Sequence, residues 1–324
     1  MDVYHGYRQP GNMLNDPVAA IGMFDGIHLG HKKVIRRVLS HSGSSHERVI
    51  ITFDPHPQKV LQPDRTPPRI MSLEHRLHIM EKMGVDAVII IRFTRRLAAM
   101  SPEEFVREVL GATGVSIVYV GANFHFGSGK TGDTEGLRRI GAEYGIEVRV
   151  VEPVKLGASV ISSTWLRKLV RSGNLDKAEK ILRRPVSVYG TVVRGEARGR
   201  ALGYPTANID PHQEVIPPPG VYAVKVDVDG ELFNGVLNIG FKPTFYGSKL
   251  KKRKEPLIEA HIMDFKGALY GRNIEIFFVR KIRRERRFKT EQALRQRIDE
   301  DRERALKMLT GEKISRKIKR YKYL

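Results

Sequence analysis

Residues 18–31 read VAAIGMFDGIHLGH, and the architecture of the first half of the chain turns on them. The run from Val18 to Phe24 is short and apolar, the mark of a strand buried on both faces. Gly22 and Gly26 interrupt it. The next stretch, HKKVIRRVLSH at 31–41, places Val34, Ile35, Val38 and Leu39 at helical spacing. A buried strand that passes through a glycine turn into a helix is half of a parallel strand–helix–strand unit.

The same alternation repeats outward. RVIITF (48–53), DAVIIIRF (86–93), SIVYVG (116–121) and EVRVVEPV (147–154) read as further buried strands. SLEHRLHIMEKMG (72–84), SPEEFVREVLG (101–111) and TEGLRRIGAEYG (134–145) read as helices, with Ser72 and Ser101 as N-caps and Pro102 at a first helical position. The expected product is a parallel sheet covered on both faces, whose ligands sit beyond the carboxyl ends of the strands. Helices continue to about Pro185. The pattern then changes to strands with glycine turns: VSVYGTVV (186–193), GVYAVKVDVDGELFNGVLNIG (220–240), LIEAHIMDF (257–265) and NIEIFFVRKIR (273–283). The Asp-Gly pair in DVDGEL (227–232) signals a two-residue hairpin. One helix follows, over 290–309. This half is a mostly antiparallel β domain, and the boundary falls near 183–186.

The chain has 324 residues, enough for two domains, and no cysteine, which excludes disulfides, thiolate metal sites and a cysteine nucleophile. No apolar run is long enough to span a membrane, and residues 1–16 lack the basic-then-apolar order of a secretory leader. A cytoplasmic protein is expected. The net charge of +21 fits phosphorylated ligands or a polyanion. Its densest clusters are KLKKRK (249–254), RKIRRERRFK (280–289) and the last twelve residues. Against a nucleic-acid partner, aromatic residues are not interleaved with these clusters, and no recognised nucleic-acid module is present.

His28 and His31 lie three apart, with Gly30 between them, at the start of a helix. Free backbone N–H groups, the positive helix end and two imidazoles make an anion site suited to a triphosphate. Zinc would want two further ligands, and no spaced pair supplies them. A second glycine-rich stretch, GSGKT at 127–131, lies between a strand and a helix but lacks the glycine five residues before Gly129; that position is Phe124. It is read as a flexible loop, not a P-loop. In the β half, Thr206 and Asn208 share one face of an extended segment and offer oxygens suited to Mg²⁺. Glu259 and His261 likewise share a face.

GMFDGIHLGH resembles the HxGH signature of nucleotidylyltransferases, and ISSTWLR (161–167), TFDPHP (52–57) and GANFHFG (121–127) match the same pattern. Together they closely resemble the FMN adenylyltransferase domain of bifunctional bacterial riboflavin kinase/FAD synthetases. GTVVRGEARGRALGYPTANI (190–209), GVLNIGFKPTF (235–245), IEAHIMDFKGALYG (258–271), IRRERRF (282–288) and LRQRIDED (294–301) resemble the riboflavin kinase domain of the same family. The resemblance implies a Rossmann-like nucleotidylyltransferase domain over 1–184 and a riboflavin-kinase β-barrel with a terminal helix over 185–324. It implies two reactions, riboflavin plus ATP to FMN and FMN plus ATP to FAD, with Mg²⁺ and ATP required. Implied catalytic residues are His28, His31 and Glu259, the last as general base. Implied nucleotide contacts are Gly22, Phe24, Gly26, Asn123, Ser163, Thr164, Arg167, Gly195 and Arg200. Implied flavin contacts are Phe53, Pro55, Phe124 and Arg283, and Thr206 and Asn208 would hold the metal. The expected partners are riboflavin, FMN and ATP, with no membrane or nucleic acid, and the chain is expected as a monomer or weak homo-oligomer. Two departures stand out: Ala268 where the family often has an acid, and the basic insert KLKKRKEP (249–256). The alternatives are the same fold with one activity, or a basic nucleic-acid-binding protein.

Overall fold

The computed structural model describes residues 1–8, 13–41, 46–195, 203–243, 254–286, 288 and 290–310, the side chains of 241–243, 254 and 255 excepted. Arg200, most of the basic insert and the basic tail lie outside them. The chain falls into two compact units. One holds Met1–Pro68 and Leu73–Ser163; the other holds Arg69–Ser72 and the described residues from Thr164 onward. That division comes earlier than 184 because the helices Ser163–Ser172 and Leu175–Leu182 group with the second unit, apart from Ser163 itself.

The first unit is a six-stranded parallel sheet. Its strands are β1 (Asp2–His5), β2 (Val18–Ile21), β3 (Arg48–Asp54), β4 (Ala87–Arg92), β5 (Ile117–Gly121) and β6 (Glu147–Val151), in the order β1-β4-β3-β2-β5-β6. The four residues of β2 are buried throughout, and β3 and β4 are buried along their interiors, as continuous apolar runs require. Winding runs from β2 through β3 to β4 on one side, then crosses to β5 and β6 on the other. The reversal leaves a crevice at the carboxyl ends of β2 and β5. Helix α1 (Leu29–Leu39) packs Val34, Ile35 and Val38 inward and keeps Arg36 and Arg37 in solvent.

A small hairpin, β7 (Lys155–Leu156) with β8 (Ser159–Val160), leads out of the sheet. The second unit is a closed barrel of β9 (Ser187–Val193), β10 (Ala207–Pro211), β11 (Gly220–Val228), β12 (Glu231–Pro243), β13 (Lys254–Ile262) and β14 (Asn273–Arg283). All its pairings are antiparallel. The predicted hairpin joins β11 to β12: Val228 pairs with Glu231, and Asp229 and Gly230 have φ of 51° and 93°. Both central residues are left-handed, as the type I′ turn demands. The terminal helix Glu291–Leu309 buries Ala305 and Leu309 against Ala223 and Met263 of the barrel. Arg283 clamps it there. Its guanidinium bonds both oxygens of Asp301, at 2.8 and 3.1 Å from Nε, and Asp301 is 2 % exposed. Removing one partner of such a buried pair costs roughly 3–5 kcal/mol.

On the α1 side of the sheet, the Tyr119 hydroxyl accepts from Arg149 (2.9 Å) and meets His41 Nε2 at 2.8 Å. Arg149 is itself held by Glu147, and His46 by Asp16. Burial, then Arg149, then His46 push the His41 pKa below its ordinary value, with Glu147 opposing. A histidine depressed in the fold is disfavoured as a cation, so its contribution is full above about pH 6.5 and is lost as pH falls toward the folded value. The thermal advantage of the wild-type chain over His41→Gln is therefore expected to shrink between pH 7 and pH 5.5. Melting curves of both proteins across that range check it.

Candidate functional site

The turn between β2 and α1 is built from conflicting demands. Gly22 N–H extends the ladder to Ile51 O (3.0 Å), after which the chain must reverse into the helix. It does so with three positive φ angles in four residues: Phe24 at 50°, Gly26 at 96° and Ile27 at 40°. A bulky or β-branched residue there costs of order 1–3 kcal/mol. Phe24 and Ile27 are 2 % and 0 % exposed, and burying each side chain returns roughly 1.5–3 kcal/mol. Burial offsets strain. Two carbonyls of the turn are tied down as well: Met23 O accepts from Arg76 (2.6 Å) and Asp25 O accepts from the Ser163 hydroxyl (2.7 Å).

His28 caps α1. Its Nδ1 accepts from His31 N–H at 3.3 Å, so the proton of the neutral ring sits on Nε2. The His31 ring stacks on it with centroids 3.7 Å apart and planes 18° apart, and Phe24 meets His31 edge-on at 5.5 Å. The first turn of α1 carries no acidic residue, so nothing there competes with an incoming anion. Glycine at 30 leaves room for this folded-back geometry: a Cβ there would lie 3.1 and 3.2 Å from the His28 ring and push it by a few tenths of an ångström. The turn thus brings together Gly22, Phe24, Gly26, His28, His31 and Ser163. Phe24 is a buried wedge within the turn, and the Ser163 hydroxyl donates its proton to Asp25 O.

The other expected residues lie on different elements. Asn123 is exposed just past the end of β5, the strand beside β2. Phe53 is 8 % exposed and packs edge-on against Phe93, near the end of β3. Pro55 is half-buried just past the end of β3. Phe124 is half-buried and stacks on Phe126, with centroids 5.8 Å apart. Thr164 and Arg167 lie on the helix Ser163–Ser172, which from Thr164 on belongs to the second unit.

GSGKT is not a phosphate cradle. Phe126 and Gly132 exchange backbone hydrogen bonds at 3.0 Å and close the loop on itself. The amides of Ser128, Lys130, Thr131 and Gly132 are spent on Met100, Gly127, Ser128 and Phe126 carbonyls. A P-loop needs such amides turned toward phosphate.

In the barrel, register makes the second constellation. Asn208 of β10 pairs with Glu259 of β13, and Glu259 pairs with Asn238 of β12. Directly opposed residues share a face, so the Glu259 carboxylate stands between two amide side chains. Thr206 and His261 lie two residues along the same faces. His261 Nδ1 meets Pro205 O at 2.9 Å, and the Tyr204 hydroxyl bonds Asp299 of the terminal helix, which fixes the approach to Thr206. Thr206, Asn208 and Gly195 line a cavity of about 580 Å³ with Phe265, Ala268 and Tyr270. Gly195 lies so close that any Cβ would overlap the Asn208 amide. Arg283, the expected flavin contact, pairs with Asp301 through its guanidinium. Among the described residues, no cluster of three or more His, Asp or Glu could hold a metal, and no helix is long and apolar enough to cross a membrane.

Sequence reading missed Arg76 and Asn238. Arg76 sits in an ordinary amphipathic helix, and Asn238 becomes visible only once the β12–β13 register is known.

Two family models match the two halves of the chain. Residues 12–165 match the family model described as FAD synthetase, and residues 182–309 match that described as riboflavin kinase. A bifunctional riboflavin kinase/FMN adenylyltransferase of Bacillus subtilis is 34% identical over 300 residues, covering 91% of this chain and 93% of its own. One from Escherichia coli K12 is 36% identical over 287 residues, covering 88% and 90%. A crystal structure titled as a macrolide-efflux protein from Streptococcus pneumoniae has a TM-score of 0.78 at 28% identity and covers 94% of this chain and 98% of that one.

Gly30→Ala is expected to displace the His28 ring from its cap. The protein should fold with a cap loss of about 1 kcal/mol. ATP should no longer shift the His28 and His31 ring resonances at concentrations that saturate the wild type. Wild-type-like shifts would show that the folded-back ring is dispensable.

Proposed function

This chain belongs to the family of bifunctional riboflavin kinase/FMN adenylyltransferases, and on that footing we propose how its two reactions are divided among its residues. The enzyme phosphorylates riboflavin to FMN and adenylylates FMN to FAD, with ATP as substrate in both steps.

Adenylylation belongs to the crevice at the carboxyl ends of β2 and β5. A phosphate oxygen of FMN attacks the α-phosphorus of ATP, the bond to the bridging oxygen breaks, and pyrophosphate leaves. No protein nucleophile is needed; the work is positioning and charge neutralisation. His28 and His31, with the amides at the start of α1, take the polyphosphate. The family resemblance assigns Ser163, Thr164 and Arg167 to the β- and γ-phosphates, and Asn123 and Pro55 border the substrates. The observation that carries this reading is the stacked, capped histidine pair at a helix N-terminus with no acid in its first turn.

Phosphorylation belongs to the barrel cavity. Glu259 accepts the proton of the ribityl 5′-hydroxyl as that oxygen attacks the γ-phosphorus, and ADP leaves. Thr206 and Asn208 would hold Mg²⁺. Two neutral oxygens fit an ion that keeps several waters and takes its remaining ligands from substrate phosphates. Bound there, the ion would supply charge neutralisation of those phosphates. What supports the assignment is the Asn208–Glu259–Asn238 register beside the cavity. We keep the division at 184/185, supported by the start of the riboflavin kinase match at residue 182. The reaction is placed in the cytoplasm, where ATP is plentiful. The chain is read as a monomer or weak homo-oligomer whose partners are its small-molecule substrates.

His28→Ala and His31→Ala should abolish FAD formation from FMN and leave FMN formation from riboflavin intact. Glu259→Ala should do the reverse. Chromatographic time courses with each flavin, ATP and Mg²⁺ read both outcomes. Equal loss of both activities in a folded variant would overturn the division.

A further inference from the structure

Arg76 lies on the helix Leu73–Lys82 and is 5 % exposed. One of its nitrogens, Nη1, donates to Met23 O at 2.6 Å and to Thr52 Oγ1 at 3.0 Å. Those acceptors stand at the carboxyl ends of two adjacent strands. Met23 opens the turn that leads through Phe24 and Ile27 to His28. Thr52 is 1 % exposed near the end of β3, immediately before the Phe53-Asp54-Pro55 segment. The two strands are in register, with Ile21 beside Ile51, so a single buried nitrogen, with one hydrogen for each, joins the nucleotide turn to the segment on the flavin side.

Packing a helix on a sheet does not call for this residue. A leucine or methionine would fill the space without the cost of burying a guanidinium. Through Nη1 the arginine makes two directed bonds, to Met23 O and Thr52 Oγ1, on chain that leads into the adenylylation crevice. We infer that Arg76 is a positioning residue for FMN adenylylation: it fixes the spacing between the turn that carries His28 and the β3 end that borders the flavin. It touches neither substrate. It acts through the Met23 carbonyl and the Thr52 hydroxyl, and sub-ångström misplacement of reacting groups is what its loss would produce. This rests on the reading that places adenylyl transfer at the His28–His31 turn.

The test uses the full-length enzyme, in which FMN formation by the barrel serves as an internal control. Arg76→Met should lower kcat for FAD formation by about thirtyfold or more, with the KM for ATP moved by less than about threefold, because the seats remain and their spacing is lost. Arg76→Lys, which keeps a donor, should recover at least a third of the lost rate on a logarithmic scale. Thr52→Val, nearly isosteric, should lower kcat by about threefold to tenfold, and the Arg76→Met/Thr52→Val double variant should fall no further than Arg76→Met alone. If Arg76→Met does not fold, Thr52→Val and Arg76→Lys carry the test. FAD-forming kcat within twofold of wild type in a folded Arg76→Met, or in Thr52→Val where Arg76→Met does not fold, would overturn the inference. So would parallel loss of FMN formation. His28→Ala separates the two levels: if it spares FAD formation, the site reading itself fails; if it abolishes FAD formation while the Thr52 and Arg76 variants stay active, only the positioning role fails.

Discussion

The turn from Gly22 to His28 is the constraint on which the first half of this enzyme depends. A strand buried on both faces must end, reverse and become a helix within seven residues, at the one place where the winding of the sheet reverses. The backbone solves this with left-handed Phe24 and Ile27, a conformation such residues hold only when something larger opposes the strain. Burial of their own side chains does so, reinforced by Arg76 on one carbonyl and Ser163 on another. The result is a rigid platform that delivers the N-terminus of α1 and two stacked imidazoles to the open end of the sheet. Catalysis by positioning requires such a platform, since nothing in the adenylyl transfer uses a covalent intermediate.

The barrel reaches the same end by register. No strained turn presents Glu259. The antiparallel ladder sets Asn208, Glu259 and Asn238 side by side on three strands, and a slip of one residue would send the carboxylate to the opposite face. Closure of the barrel, the clamp from Arg283 to Asp301 and the docking of the terminal helix hold that register. The two halves therefore depend on different physics: strain balanced by burial in one, and hydrogen-bonded pairing in the other.

Much of this was legible in the sequence. Continuous apolar runs separated by amphipathic helices announced a parallel sheet, and the Asp229-Gly230 pair announced the β11–β12 hairpin that the structure contains. The His28–His31 spacing marked the pair that the structure stacks at the start of α1, and the absence of a glycine at 124 argued against a P-loop, as the self-closed 126–132 loop bears out. Other features depend on contacts that no local pattern encodes. Strand β1 has four largely exposed residues, too few to register as a buried run. Phe53 and Phe24 looked available because a motif shows residue type and not direction, and both point inward. The pair that Arg283 makes with Asp301, on a different element, has no local signal. Arg76 and Asn238 matter only through what lies across from them in space.

The central claim is that adenylylation and phosphorylation occupy two separate constellations, one at the β2 turn and one on the barrel wall. The measurement that tests it most directly mixes His28→Ala protein with Glu259→Ala protein in the presence of riboflavin, ATP and Mg²⁺. The claim predicts that neither variant alone yields FAD from riboflavin, while the mixture does, after a lag in which FMN accumulates. Two folded variants that together still produce no FAD would contradict it.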